Sequence, residues 1–251
     1  MASLAGLVVP LAEVGKVGEG FIQERTPENR PCQASSSHLF CFDWAKDHLD
    51  RYVTPAVQQL ELVAISVVIG FLVAFALALI AHRRRWLRPP LLAGTGILYA
   101  IPSISFFLLL LPITGRSRLT AIIALSAYTL QIIYRNVTVG LDNVPESAKD
   151  SARGMGMTRR QILWRVELPL ALPEIIGGLR IATVSTIAIA TLAVFAGAGG
   201  LGPLILNGPN LHFPTTIVMV IVIVVVMALI FDAILLAIQY FSTPWRRARP
   251  S

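Results

Sequence analysis

Apolar residues gather in five long runs, each near the ~20 residues a helix needs to cross a bilayer. The first, "AVQQLELVAISVVIGFLVAFALALIA", covers Ala56 to Ala81. The second, Pro90 to Ile113, holds Pro102 in its middle, so a kink or break is predicted near Ala100. The third covers Leu119 to Leu141, the fourth starts near Ile175, and the fifth runs from Thr215 to Phe241. The predicted architecture is therefore an all-α membrane protein of about five transmembrane helices. Residues 56–241 form its transmembrane domain, preceded by a poorly defined segment 1–55 and followed by a basic tail 242–251.

The polar residues between the runs orient them. "HRRRWLRPP" after the first run, the segment between the third and fourth, and "PWRRARP" after the fifth are all rich in arginine, and five spans put all three on one side. Basic residues in short loops favour the cytoplasm, so the chain is read as a multi-pass cell-membrane (plasma or inner-membrane) protein with its N-terminus outside and its C-terminus in the cytoplasm. The opposing loops hold only Arg116 and Arg118, then "GGLGPLILNGPNLHF".

Composition agrees with this class. Charged residues make up 14% of the chain, against about 25% in an ordinary soluble domain. The net charge of +7 belongs to the loops, and no basic stripe interleaved with aromatics points to nucleic acid. "MASLAGLVVPLA" at the start lacks a basic leader and is broken by Pro10, so no cleaved signal peptide is expected. Cys32 and Cys41 fall on the outer, oxidising side, where they form a disulfide or remain two free thiols. "LFCFDW", Leu39 to Trp44, reads as an interface anchor or an amphipathic helix.

The most informative stretch is polar. "PESAKDSARGMGMTRRQILWRVELP" begins with Pro145 at a helix-start position and has Glu146 and Asp150 early, where they complement the helix dipole. Gly154 and Gly156 mark an end or turn, and Thr158 is placed to cap a second helix closing at Pro169. In that helix Ile162, Leu163 and Val166 share a face, while Arg159, Arg160 and Arg165 lie elsewhere. By pattern this is a helix–turn–helix on the membrane surface, which could be a simple connection or a docking device.

From Asp150 to Pro169 it resembles the EAA loop of ABC-importer permeases, through Asp150, Ser151, Ala152, Gly156, Leu168 and Pro169. Asp stands for the usual Glu, and Ser for the first Ala. The resemblance implies a coupling helix that docks on a cytoplasmic ABC ATPase dimer, with Arg153, Gly154 and Met157 in the same contact. "YAIPSISFF", Tyr99 to Phe107, and "LAVFAGAGGLGPLILNG", Leu192 to Gly208, are similar to the permeases of osmoprotectant importers for glycine betaine, choline, carnitine and proline betaine. No G-x-x-x-x-G-K-[ST] loop occurs in the chain. ATP and Mg are therefore expected on the partner, and this chain is not expected to be an enzyme, bind a cofactor or hold a metal. A second permease chain, copy or paralogue, and an extracytoplasmic substrate-binding protein are the other implied partners.

Tyr99, Pro102 and Ser103, and Gly197, Gly199 and Gly200, are candidates for the translocation path or its gate; a tolerated kink and close helix packing are the plainer readings. Polar residues inside spans are functional candidates by default: Glu61, Gln131, Tyr134, Arg135, Asn136, Arg180 and Asp232. Arg135 and Arg180 are read as snorkelling to the interface. Asp232 has no such exit and needs a cation or backbone partner.

Overall fold

The computed structural model describes residues 42–206 and 214–244, all within the compact unit Phe42–Ser251. Every regular element among them is helical. Cys32, Cys41, the Leu39–Cys41 part of "LFCFDW", Gly208 and the arginines of the tail lie outside the described residues. A short helix α1, Phe42–Asp47, leads into α2, Asp50–Arg83. At 34 residues and ~1.5 Å per residue, α2 is far longer than a ~30 Å hydrocarbon layer. It starts six residues before the expected Ala56.

The buried side of α2 carries Ser66, Gly70, Ala74 and Ala78, one small residue per turn. Small side chains let two helix backbones approach closely where lipid supplies no hydrophobic drive for association. At Gly70 the approach is closest: an added Cβ would sit 1.6 Å from Thr129 Oγ1. Thr129 belongs to α5, Arg118–Asp142, against which α2 makes its most extensive packing.

The second apolar run is two helices. α3, Arg88–Ala100, and α4, Ser103–Thr114, meet at 97°. Ile101 is extended (φ −66°, ψ 129°), as the ring of the following Pro102 favours. The expected kink is thus a near right-angle break. Tyr128 of α5 holds it: its hydroxyl donates to the carbonyl of Ile101. The Tyr128 ring lies edge-on to Tyr99 at 5.9 Å and to Phe106 at 5.8 Å.

Among the described residues three helical stretches are long and apolar enough to cross a membrane, or four if the bent α3–α4 pair is one span. The remaining expected span, α5, is long enough at 25 residues but more polar. Its position explains this. It packs against α2, α3 and α4 and against the long helix Leu168–Ile189, so much of its surface meets protein.

After α5 the chain forms α6, Glu146–Gly154, and α7, Arg159–Ile162. It does not stop at Pro169 as the sequence suggested. A π-helical turn, Leu163–Glu167, joins α7 to α8, Leu168–Ile189, so one helix runs from Arg159 through the fourth apolar run. Proline lacks an N–H and its ring crowds the carbonyl four residues back. The wider turn, closed by Leu168 N–H on the Leu163 carbonyl, lets the helix carry Pro169 in its first positions. A 3-10 stretch, Ala190–Ala196, follows α8, then a glycine turn, α9 (Gly202–Leu206) and α10 (Pro214–Ser242).

Candidate functional site

The bundle has a basic end and a far end. The basic end carries exposed Arg83, Arg84 and Arg85, together with α6, α7 and the turn between them. Pro145 occupies the position before α6, and Glu146–Lys149 (3.4 Å) and Asp150–Arg153 (2.6 Å) pair along its surface. The helix ends at a turn whose Gly156 sits at φ +76°. That left-handed geometry favours glycine, and an added Cβ there would have nothing within 4 Å. Nothing among the described residues therefore lies against Gly156. Thr158 caps α7 as expected: its Oγ1 accepts from Gln161 N–H at 3.4 Å, while Gln161 Oε1 accepts from Thr158 N–H at 2.8 Å. The sequence reading missed Gln161, although the T-x-x-Q spacing signals this box.

The nine coupling candidates divide by environment. Ala152 (1% exposed) and Leu168 (9%) face the bundle and hold the loop on it. Asp150, Ser151, Arg153, Gly154 and Gly156 are exposed, and Met157 and Pro169 are half-buried. Met155, not singled out in the sequence, is 68% exposed at the tip. In the second piece Ile162 and Leu163 are buried and Val166 half-buried, while Arg159, Arg160 and Arg165 are exposed, which is the face predicted from spacing. Glu167, also unforeseen, is buried in the π-helical turn and lies 2.8 Å from His82 Nε2.

At the far end Gly197, Gly199 and Gly200 all have positive φ (73°, 81° and 80°). The turn they make is clamped to the start of α2. Gln59, fully buried, accepts from Leu201 N–H at 3.0 Å and donates to the Ile187 carbonyl at 3.0 Å. Gln58 accepts from Gly200 N–H at 3.3 Å. Neither glutamine was foreseen, since their partners lie more than a hundred residues away. Glu61 and Arg118 pair nearby at 2.6 Å.

Tyr99 is exposed, Pro102 is exposed and Ser103 half-buried, all at the α3–α4 break and remote in the chain from the glycine turn. Inside the bundle Gln131 Oε1 accepts from the Thr95 hydroxyl, Tyr134 is buried, and Asn136 Nδ2 donates to the Ile132 carbonyl at 2.7 Å. Arg135 is exposed. Arg180 does not reach away toward an interface. Its Nε and Nη2 donate to the two oxygens of Asp232 at 2.9 and 2.8 Å, and its Nη1 to Gln239 Oε1 at 3.2 Å. Asp232 thereby finds the cation it needed. The fork-on-carboxylate pair lines a cleft of about 590 Å³ between α8 and α10, with Gly177, Ser185 and Gln239. Among the described residues no group of acidic, histidine and cysteine side chains could hold a metal ion.

The chain as a whole is similar to known proteins. Residues 66–247 match the family described as binding-protein-dependent transport system inner membrane component. The osmoprotectant import permease protein OsmW of Salmonella typhimurium is 36% identical over 192 residues, covering 74% of this chain and 89% of that protein. The carnitine transport permease protein OpuCB of Listeria monocytogenes is 35% identical over 187 residues, 74% of this chain and 86% of its own length. Among solved structures, inward-facing MetNI methionine ABC transporter superposes with TM-score 0.70 at 22% identity, covering 76% of this chain and 96% of that one.

Proposed function

The chain belongs to the family of binding-protein-dependent transport system inner membrane components, and on that premise we propose how it works as the permease of an ATP-driven importer of osmoprotectants. Its solutes are quaternary amines of the glycine betaine, carnitine and choline kind; the support is that permeases bearing those names align with three quarters of the chain. The basic end lies in the cytoplasm, for which the arginine-rich loops argue. The exposed turn around Met155 and Gly156 docks on a separate ABC ATPase dimer that supplies ATP and Mg. A second permease chain completes the path, and an extracytoplasmic binding protein delivers the solute at the far end.

The observation that carries the docking reading is Gly156: a left-handed glycine at the tip of a loop whose own anchors, Ala152 and Leu168, point the other way. A partner backbone can lie directly against such a position, and a side chain there would obstruct it. ATP binding would draw the ATPases together, carry the loops with them and switch the paired permeases from inward-facing to outward-facing, a bistable element biased by a ligand bound elsewhere.

Affinity purification of the complex from its native membrane, with Gly156→Trp, tests this together with uptake of radiolabelled glycine betaine, carnitine and choline. The expected result is loss of the ATPase and of uptake, with the variant still present in the membrane. Undiminished ATPase association and transport would overturn the docking role. Wild-type uptake of none of the three solutes would overturn the substrate class while leaving the docking role intact.

A further inference from the structure

Glu167 is 8% exposed, in a loop otherwise built to meet water. A buried carboxylate demands partners. Its Oε2 accepts from His82 Nε2 at 2.8 Å, and His82 Nδ1 lies 3.3 Å from Arg88 Nη2. Arg88 Nη1 reaches both carboxylate oxygens of Asp142 at 2.9 and 3.0 Å. The neighbours fix the protons on the imidazole: a guanidinium can only donate, so Nδ1 accepts, and an ionised carboxylate can only accept, so Nε2 carries the hydrogen. Arg88 thus donates in both directions, to Asp142 on one side and through His82 to Glu167 on the other.

The line joins four pieces of the bundle. Asp142 is the last residue of α5, shortly before the coupling loop, and Glu167 is in the π-helical turn at that loop's far root. His82 is in the last turn of α2, and Arg88 is the first residue of α3, the helix that ends at the Pro102 break. Anchoring alone does not require this arrangement, because Ala152, Ile162, Leu163 and Leu168 already bury an apolar face under the loop. Apolar packing can slide, whereas a directional polar line holds one register.

We propose that His82 and Arg88 are positioning residues that tie both roots of the coupling loop to α3, so that displacement of the loop is passed to the α3–α4 break. This rests on the reading that the loop docks an ATPase. Uncoupling, rather than loss of docking, is the expected consequence of cutting the line.

The test uses the complete complex, permease with its ATPase and binding protein, in proteoliposomes. Radiolabelled glycine betaine, carnitine and choline taken up are measured against ATP hydrolysed. Glu167→Met and His82→Leu retain the ATPase and its hydrolysis but deliver about fivefold less solute per ATP. Glu167→Gln, which keeps an acceptor for the His82 Nε2–H, recovers at least about half of the wild-type ratio, a rescue that a purely volumetric role would not produce. A ratio unchanged in Glu167→Met and His82→Leu overturns the proposal, as does Glu167→Gln falling as far as Glu167→Met. If a single variant fails to assemble because it orphans its partner, His82→Leu/Glu167→Met removes both ends of the contact. A wild-type ratio in that double variant overturns the proposal, and a lowered ratio supports it. A wild-type permease that retains no ATPase would sink the docking reading instead.

Discussion

Replacing Gln59 with leucine would cut the clamp at the far end, and the cost follows from its contacts. Gln59 is fully buried and makes two hydrogen bonds at 3.0 Å. Leucine leaves the Leu201 N–H facing apolar atoms, and an orphaned buried donor costs about 1–3 kcal/mol. Losing the bond to the Ile187 carbonyl adds about 0.5–1.5 kcal/mol, while leucine's greater apolarity returns roughly a third of the total, leaving about 2 kcal/mol net. For a chain of this size that corresponds to roughly 4–8 °C in Tm. Gln58→Leu is the control, since Gln58 is half-buried and makes one 3.3 Å bond to Gly200 N–H, so its cost should stay under about 1 kcal/mol. The assay is thermal unfolding of the purified permease in detergent, followed by tryptophan fluorescence. Equal midpoints for the two variants would refute the reasoning, because burial and bond count would then not decide how the glycine turn is held.

Gly70→Ala and Gly94→Ala are the same chemical change in opposite surroundings. The first puts a methyl 1.6 Å from Thr129 Oγ1 and should destabilise by about 1–3 kcal/mol, whereas the second meets nothing within 4 Å and should be neutral or gain up to ~1 kcal/mol of helix propensity, read as opposite Tm shifts. Asp232→Asn removes the charge that faces Arg180, yet lies far along the chain from the coupling loop. It should leave ATPase association intact in a pull-down while altering transport or stability, and loss of the ATPase would contradict that assignment.

Apolar runs located the long helices because burial in lipid demands an unbroken hydrocarbon surface, and α10 came within a residue of its expected limits at each end. Pro102 announced the break, but proline fixes only local dihedrals, so the 97° angle depended on where α4 found its packing. Pro169 misled for the complementary reason: a proline forbids a regular α-turn, not a widened one, and nothing local distinguishes the two. The polar loop between α5 and α8 was legible down to its cap and its buried face, since those depend on neighbours within a few positions. What escaped notice were partners distant in the chain. Asp232 signalled a need for a cation without naming Arg180, and Gln59, His82 and Glu167 carried no signal apart from being polar where burial was expected.

The polarity of α5 bears on how the chain enters the membrane. Thr120, Thr129, Gln131, Tyr134, Arg135 and Asn136 make it a poor candidate for partitioning into lipid by itself. Its welcome is the surface of α2, made earlier in synthesis and carrying the groove that admits Thr129 at Gly70. The order of elements along the chain therefore places the receiving surface ahead of the helix it receives, and a side chain at Gly70 would crowd that surface where α5 must settle on it.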